Sequence, residues 1–203
     1  MKKKAFVTFL TLVRAPLVLS AAACALCHAW MPGWGWLVAC VALMGLSAFT
    51  DMFDGMLARK WKVVSAFGAL ADPLMDKVFY IATLPTAIFL AMKLGDTVHA
   101  LVLLGLDVIS MLRDQWVSFL RSVGIMYGAD VKANWVGKLR TALAFPILVA
   151  VYMDIGLRFL GIVPCGKVRA AIFVLEGLLL AITLLSACIY TRDYWKHLQR
   201  AAE

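Results

Sequence analysis

The chain has 203 residues, of which 64% are hydrophobic and only 16% charged. A soluble domain of this size sits nearer half apolar and a quarter charged, so the composition excludes an ordinary soluble fold and points to a membrane protein. The formal net charge of +8 has no soluble basic segment to carry it. It fits anionic lipid surfaces and anionic substrates, and no nucleic-acid partner is expected.

Read from the N-terminus, Met1-Lys2-Lys3-Lys4 and the apolar residues after it imitate a signal peptide, with Ala21-Ala22-Ala23 as a cleavage region. Arg14 and Pro16 interrupt that stretch, so it is read as an uncleaved first helix. No charge occurs between Ala15 and Thr50, and Met31-Pro32-Gly33-Trp34-Gly35 divides the interval at a turn. Two helices follow, over 12–30 and 36–59, each near the ~20 residues a bilayer requires. A third apolar stretch runs from Lys77 to Lys93. It is short for a crossing unless its helix continues backward through Asp76 towards Asp72. A fourth runs from Thr97 to Arg121 and contains Asp107. A fifth runs from Trp135 to Leu160, its cytosolic end including Lys138 and Arg140, and a sixth from Val168 to Tyr190 contains Glu176.

The expectation is an all-α polytopic protein with six transmembrane helices, in one domain over residues 1–203. Lys2, Lys3, Lys4, Arg14, Arg59, Lys60, Lys62, Arg121, Lys132, Lys138, Arg140, Arg192, Lys196 and Arg200 fall on one side if both termini are cytosolic. Arg158, Lys167 and Arg169 depart from that rule. The expected location is a membrane, with the functional face towards the cytosol. Five cysteines lie in or near apolar segments and read as small hydrophobes. Cys24-Ala25-Leu26-Cys27-His28 matches a haem-attachment pattern but lies in a lipid-like helix without an obvious second axial ligand. Ten methionines and seven tryptophans read as packing and interface anchors.

The informative stretch is Asp51-Met52-Phe53-Asp54-Gly55-Met56-Leu57-Ala58-Arg59, followed by Gly68-Ala69-Leu70-Ala71-Asp72-Pro73-Leu74-Met75-Asp76. Asp51 and Asp54 share one helix face, and so do Asp72 and Asp76. A short connection makes their helices antiparallel neighbours, which puts both pairs at similar depth. Four carboxylates do not stay ionised together at a membrane without cations. Oxygen-only donors favour Mg²⁺ or Mn²⁺ over zinc, and such ions suit phosphate chemistry. Gly55 and Ala58 would let a bulky ligand approach the backbone, and Arg59 would pair with a phosphate. A divalent-cation transporter is the alternative from another class, but such sites usually lie at the bilayer midplane, often at an internal repeat. Here the acids lie towards one face and no repeat is visible.

The pattern Asp-x2-Asp-Gly-x2-Ala-Arg-x8-Gly-x3-Asp-x3-Asp resembles the signature of the CDP-alcohol phosphatidyltransferase family, with every position filled. The resemblance implies that Asp51, Asp54, Asp72 and Asp76 bind metal, as two Mg²⁺ or Mn²⁺ ions, and that Asp76 also serves as general base. It implies that Gly55, Ala58, Arg59 and Gly68 hold the cytidine nucleotide of a CDP-diacylglycerol substrate, and that the protein is a homodimer.

Arg113, Arg121, Lys132, Lys138 and Arg140 form a second basic group. Arg113 and Arg121 lie eight apart, roughly on one helix face. Arg113, Arg121, Lys138 and Arg140 are the candidates for a phosphate carried by the acceptor. The segments 8–14, 113–121 and 135–141 resemble those of bacterial phosphatidylglycerophosphate synthases, which implies glycerol 3-phosphate as acceptor. Ala5 and Val7 stand where that family often has Asn and Pro, and Asp114 where Glu is more usual. An inositol phosphate or serine acceptor is the alternative within the same chemistry. Asp107 and Glu176 are lone intramembrane acids with no assigned catalytic role, open to pairing with Arg113 or with another helix.

Overall fold

A computed structural model describes residues 2–61, 66–128 and 135–202; the side chains of residues 2–4, 58, 59, 66–70, 72, 73, 76 and 202 lie outside the description. Among the described residues there are six helices: α1 (Lys2–Trp30), α2 (Trp34–Trp61), α3 (Ala66–Lys93), α4 (Thr97–Met126), α5 (Trp135–Phe159) and α6 (Gly166–Ala202). The all-helical expectation holds. The boundaries differ most at two places. Helix α1 starts ten residues before the expected 12 and carries Pro16 in its interior. Helix α6 runs on to Ala202, because Tyr190 and Tyr194 still bury their rings beyond the apolar stretch.

By length and composition α1, α2, α5 and α6 are able to cross a membrane. Their outward faces are apolar: Leu19, Val38 and Val174 are 57%, 61% and 70% exposed. Such surface is not sustained in water but is solvated by lipid tails. Trp30, Trp34, Trp135 and Trp195, all more than half exposed, lie near helix ends or in the extension of α6. That is the placement expected of interfacial aromatic anchors.

The chain packs as two compact units. The first comprises Met1–Ala100 and Val149–Pro164. In it α1 lies along α2 and α3, and its buried stripe is Val18, Ala21, Ala22, Ala25 and Ala29. Small side chains at helical spacing let backbones approach closely, which is how helices associate where no hydrophobic gain is available. On α2 the buried stripe is Leu37, Cys40, Met44, Ser47 and Asp54. Helix α5 joins the unit through the Tyr152 hydroxyl, which donates to the Thr83 carbonyl at 2.8 Å. At Gly156 a Cβ would run into the Leu37 side chain, so only glycine permits that approach.

Helix α3 ends at Gly95, whose φ of 73° is the left-handed conformation of a helix stop. The Gly95 amide bonds the Met92 carbonyl and the Asp96 amide the Ala91 carbonyl. Asp96 then caps α4, accepting from the His99 amide at 3.3 Å. The same carboxylate takes Arg158 Nη1 at 2.6 Å. Asp154, 3% exposed, lies 3.8 Å from that nitrogen.

His28, 3% exposed, is spent on the backbone. Its Nε2 donates to the Gly156 carbonyl at 2.9 Å, and its Nδ1 accepts from the Gly33 amide at 3.3 Å. Nδ1 also lies 3.1 Å from the Gly33 carbonyl, so both ring nitrogens are taken up by the backbone rather than offered to a haem iron. All five cysteines are free. Cys40 is buried, whereas Cys165 and Cys188 are exposed, so burial does not describe the whole set.

The second unit comprises Leu101–Leu148 and Cys165–Glu203. Val117 and Leu120 of α4 form its core with Tyr190 and Tyr194 of α6, and Leu198 packs against them. Trp116 Nε1 donates to Thr191 Oγ1 at 2.8 Å.

Candidate functional site

The acid pair of α2 continues the buried stripe of that helix. From Leu37 through Cys40, Met44 and Ser47 the spacing alternates three and four residues, and the same alternation arrives at Asp51 and Asp54. Those carboxylates therefore face α1. Arg14, 7% exposed, places Nη1 2.7 Å from Asp51 Oδ1. Thr11, 4% exposed, donates from Oγ1 to Asp54 Oδ2 at 2.9 Å. Asp54 is buried, while the Asp51 side chain is 46% exposed. One carboxylate is thus neutralised by a buried cation and the other oriented by a buried hydroxyl.

Helix α3 places Asp72 and Asp76 one turn apart. Their side chains lie outside the described residues, as do those of Ala58, Arg59 and Gly68, so the expected facing of the two acid pairs lies outside the description as well. Among the described residues no group of three His, Cys, Asp or Glu side chains gathers to hold a metal. The described half of the set consists of carboxylate oxygens with hydrogen-bonded support. Such a donor set fits a hard divalent cation. A Cβ at Gly55 would meet no heavy atom within 4 Å among the described residues.

The basic candidates on α4 and α5 belong to the second unit, and three of the four are engaged there. Asp114 bridges two of them. Its Oδ1 takes Arg113 Nη1 at 2.8 Å and Arg140 Nη1 at 2.9 Å, and its Oδ2 takes Arg140 Nη2 at 3.3 Å. Arg140 Nε also donates to Thr183 at 3.2 Å, and Arg113 Nη2 donates to Ser186. Arg121 Nη2 donates to the Tyr190 hydroxyl at 2.9 Å. Lys138 is exposed, and Lys132 lies outside the described residues. Arg113 finds its carboxylate in Asp114 rather than in Asp107, which is buried. Glu176 is buried too, at 1% exposure.

Several of these partners were not singled out in the sequence. Thr183, Ser186 and Tyr190 follow one another at three and four residues on α6, one polar edge inside an apolar helix, and that spacing was the available signal. Thr11 and Arg14 are likewise three apart on α1. Asp154 carried no signal, since a single acid near a helix end is ordinarily solvated.

Comparison with known proteins agrees with the signature. The family described as CDP-alcohol phosphatidyltransferase matches residues 6–191. A protein of Yersinia enterocolitica named CDP-diacylglycerol–glycerol-3-phosphate 3-phosphatidyltransferase is 28% identical over 94% of this chain and 95% of its own length. A Yersinia pestis protein of the same name matches to the same extent. A third of that name, from Pectobacterium atrosepticum, is 29% identical over 70% of this chain and 74% of its own. The match takes in both acid-bearing helices and the arginines of α4 and α5, and it removes the transporter alternative: this chain belongs to the CDP-alcohol phosphatidyltransferase family and is a transferase of phospholipid biosynthesis.

Proposed function

We propose that this enzyme transfers the phosphatidyl group of CDP-diacylglycerol to glycerol 3-phosphate, releasing CMP and forming phosphatidylglycerophosphate. The observation that carries the choice of acceptor is the arginine cluster on Asp114. Arg113 and Arg140 share that carboxylate and Arg121 bonds the Tyr190 hydroxyl, so three guanidiniums gather with one carboxylate among these contacts, an excess of two positive charges. A phosphate monoester carries about −1.5 to −2 at neutral pH. Neither serine nor any other acceptor without a phosphate would use that excess. The names of the relatives that match almost end to end support the same acceptor.

In this reading Asp51, Asp54, Asp72 and Asp76 would hold two Mg²⁺ or Mn²⁺ ions, which when bound supply charge neutralisation at the pyrophosphate. Arg14 and Thr11 keep the α2 carboxylates in place. Gly55, Ala58, Arg59 and Gly68 seat the cytidine nucleotide. Asp76 accepts the proton of the acceptor hydroxyl. The freed oxygen attacks the phosphorus that bears the diacylglycerol, and the bond from that phosphorus to the bridging oxygen breaks. CMP leaves with the electron pair.

The whole chain acts as one catalytic domain with six membrane-spanning helices and both termini cytosolic. It sits in a bacterial inner membrane, works at the cytosolic surface and pairs as a homodimer.

The test is CMP release from CDP-diacylglycerol by the purified chain in lipid with Mg²⁺, comparing glycerol 3-phosphate, inositol phosphate, serine and no acceptor. Release that needs glycerol 3-phosphate, disappears with chelator and is lost in Asp76→Asn is the expected result. Release with another acceptor overturns the substrate. Full activity in Asp76→Asn overturns the base.

A further inference from the structure

Tyr190 touches two of the three arginines. It lies on α6 with 2% exposure, and its ring has the guanidinium carbons of Arg113 and Arg121 each 5.3 Å from its centre. Its hydroxyl accepts from Arg121 Nη2 at 2.9 Å. Two like charges are held against one side chain, which the electron-rich ring face favours and an aliphatic residue would not. Arg113 and Arg121 also each carry a buried Nε with no hydrogen-bond partner among the described residues. The ring face of Tyr190 is a further contact to both guanidiniums beside their hydrogen bonds. Gly137 of α5 makes room for the arrangement, because a Cβ there would come within 3.3 Å of both Arg113 Nη2 and the Tyr190 hydroxyl.

We infer that Tyr190 is a positioning residue that sets the spacing of the Arg113 and Arg121 guanidiniums for a phosphate monoester, a role that rests on the acceptor reading above. Asp114 and Ser186 bond Arg113, and the Tyr190 ring lies against both Arg113 and Arg121. The ring thus couples the Asp114-bound pair to the third guanidinium. A residue that merely filled the core with Val117, Leu120 and Tyr194 would need neither its hydroxyl nor its π face.

The test uses the full chain in lipid, with Tyr190→Phe and Tyr190→Leu. Two quantities are read: binding of inorganic phosphate and of glycerol 3-phosphate by calorimetry, and KM and kcat for each substrate. Loss of the hydroxyl alone should weaken phosphate binding and raise the acceptor KM by about threefold to tenfold. Loss of the ring as well should give roughly tenfold or more beyond that. The KM for CDP-diacylglycerol and the kcat at saturating acceptor should stay within about threefold in Tyr190→Phe, because the chemistry is not at the ring. Unchanged phosphate affinity and acceptor KM in Tyr190→Phe would overturn the role, as would a parallel loss on both substrates. Tyr190→Phe keeps the ring packing and so remains readable if Tyr190→Leu fails to fold. If the wild-type chain binds phosphate in a Tyr190-dependent way but does not turn over glycerol 3-phosphate, the acceptor assignment falls and the positioning role stands. A wild-type chain that binds neither phosphate compound overturns the positioning role.

Discussion

Thr11 and Arg14 show how single side chains prepare an acidic site within an apolar bundle. A carboxylate in such surroundings is costly unless paired and hydrogen-bonded. Arg14 supplies the opposite charge to Asp51 and Thr11 a donor to Asp54. Groups that orient metal-binding carboxylates usually carry a measurable share of the affinity. Thr11→Val removes the donor at nearly constant volume, and Mn²⁺ affinity, followed by electron paramagnetic resonance of the free ion, should fall about tenfold. Thr11→Ser should recover most of it, since the hydroxyl returns. Affinity unchanged in Thr11→Val would show that the Asp54 contact has no bearing on metal. At this scale the shared helix face of Asp51 and Asp54 was legible, because a three-residue spacing says which side chains lie together on a helix. Their partners were not. Arg14 read only as a topological charge, since nothing local to α1 says which residue of α2 it will meet.

At the scale of elements, the contact of α1 with α2 is an antiparallel register. Thr11 meets Asp54 and, three residues on, Arg14 meets Asp51. The stripe of small residues on α1 runs on from these two polar steps. A second element-level device ties the α3–α4 turn to the end of α5. Asp96 caps α4 and binds Arg158, and Asp154 faces the same guanidinium. Neither Asp154 oxygen has a hydrogen-bond partner among the described residues, so Arg158 is the cation against which that buried charge is set. Arg158→Ala leaves two largely buried carboxylates without it and should destabilise the protein by about 3 kcal/mol. Asp96→Asn retains an acceptor for the α4 cap while losing the charge, so it should cost less than Asp96→Ala, by roughly the 1 kcal/mol of a helix cap. Thermal unfolding in detergent, with unfolding enthalpy measured, decides both. Equal losses in the two Asp96 variants would mean the cap contributes nothing.

At the scale of the whole molecule the open matter is which way the helices run through the bilayer. Cys165 lies in the connection between α5 and α6 and is exposed, whereas Cys40 is buried. With both termini in the cytosol, that connection emerges on the outer face. In a chain keeping Cys165 as its sole cysteine, a membrane-impermeant maleimide should label Cys165 in intact spheroplasts without prior lysis. Labelling only after lysis would invert the topology and with it the cytosolic placement of Asp51 and Asp54. The four helices long and apolar enough to cross a membrane include α5 and α6, so this reporter sits between two of them.

The sequence by itself determined that this is an all-helical membrane transferase with acids at helical spacing, since apolar run length, charge position and residue spacing are local properties of a chain. Its long signature was enough to place it in a family. Only the tertiary structure decided which guanidinium meets which carboxylate. It set Arg14 on Asp51, drew Arg113 and Arg140 onto Asp114, gave Arg121 to Tyr190 and took Arg158 for Asp96. These pairings depend on the depth and rotation at which separate helices pack. A helix specifies its own faces through its period, but the face it meets is chosen by close packing against another helix.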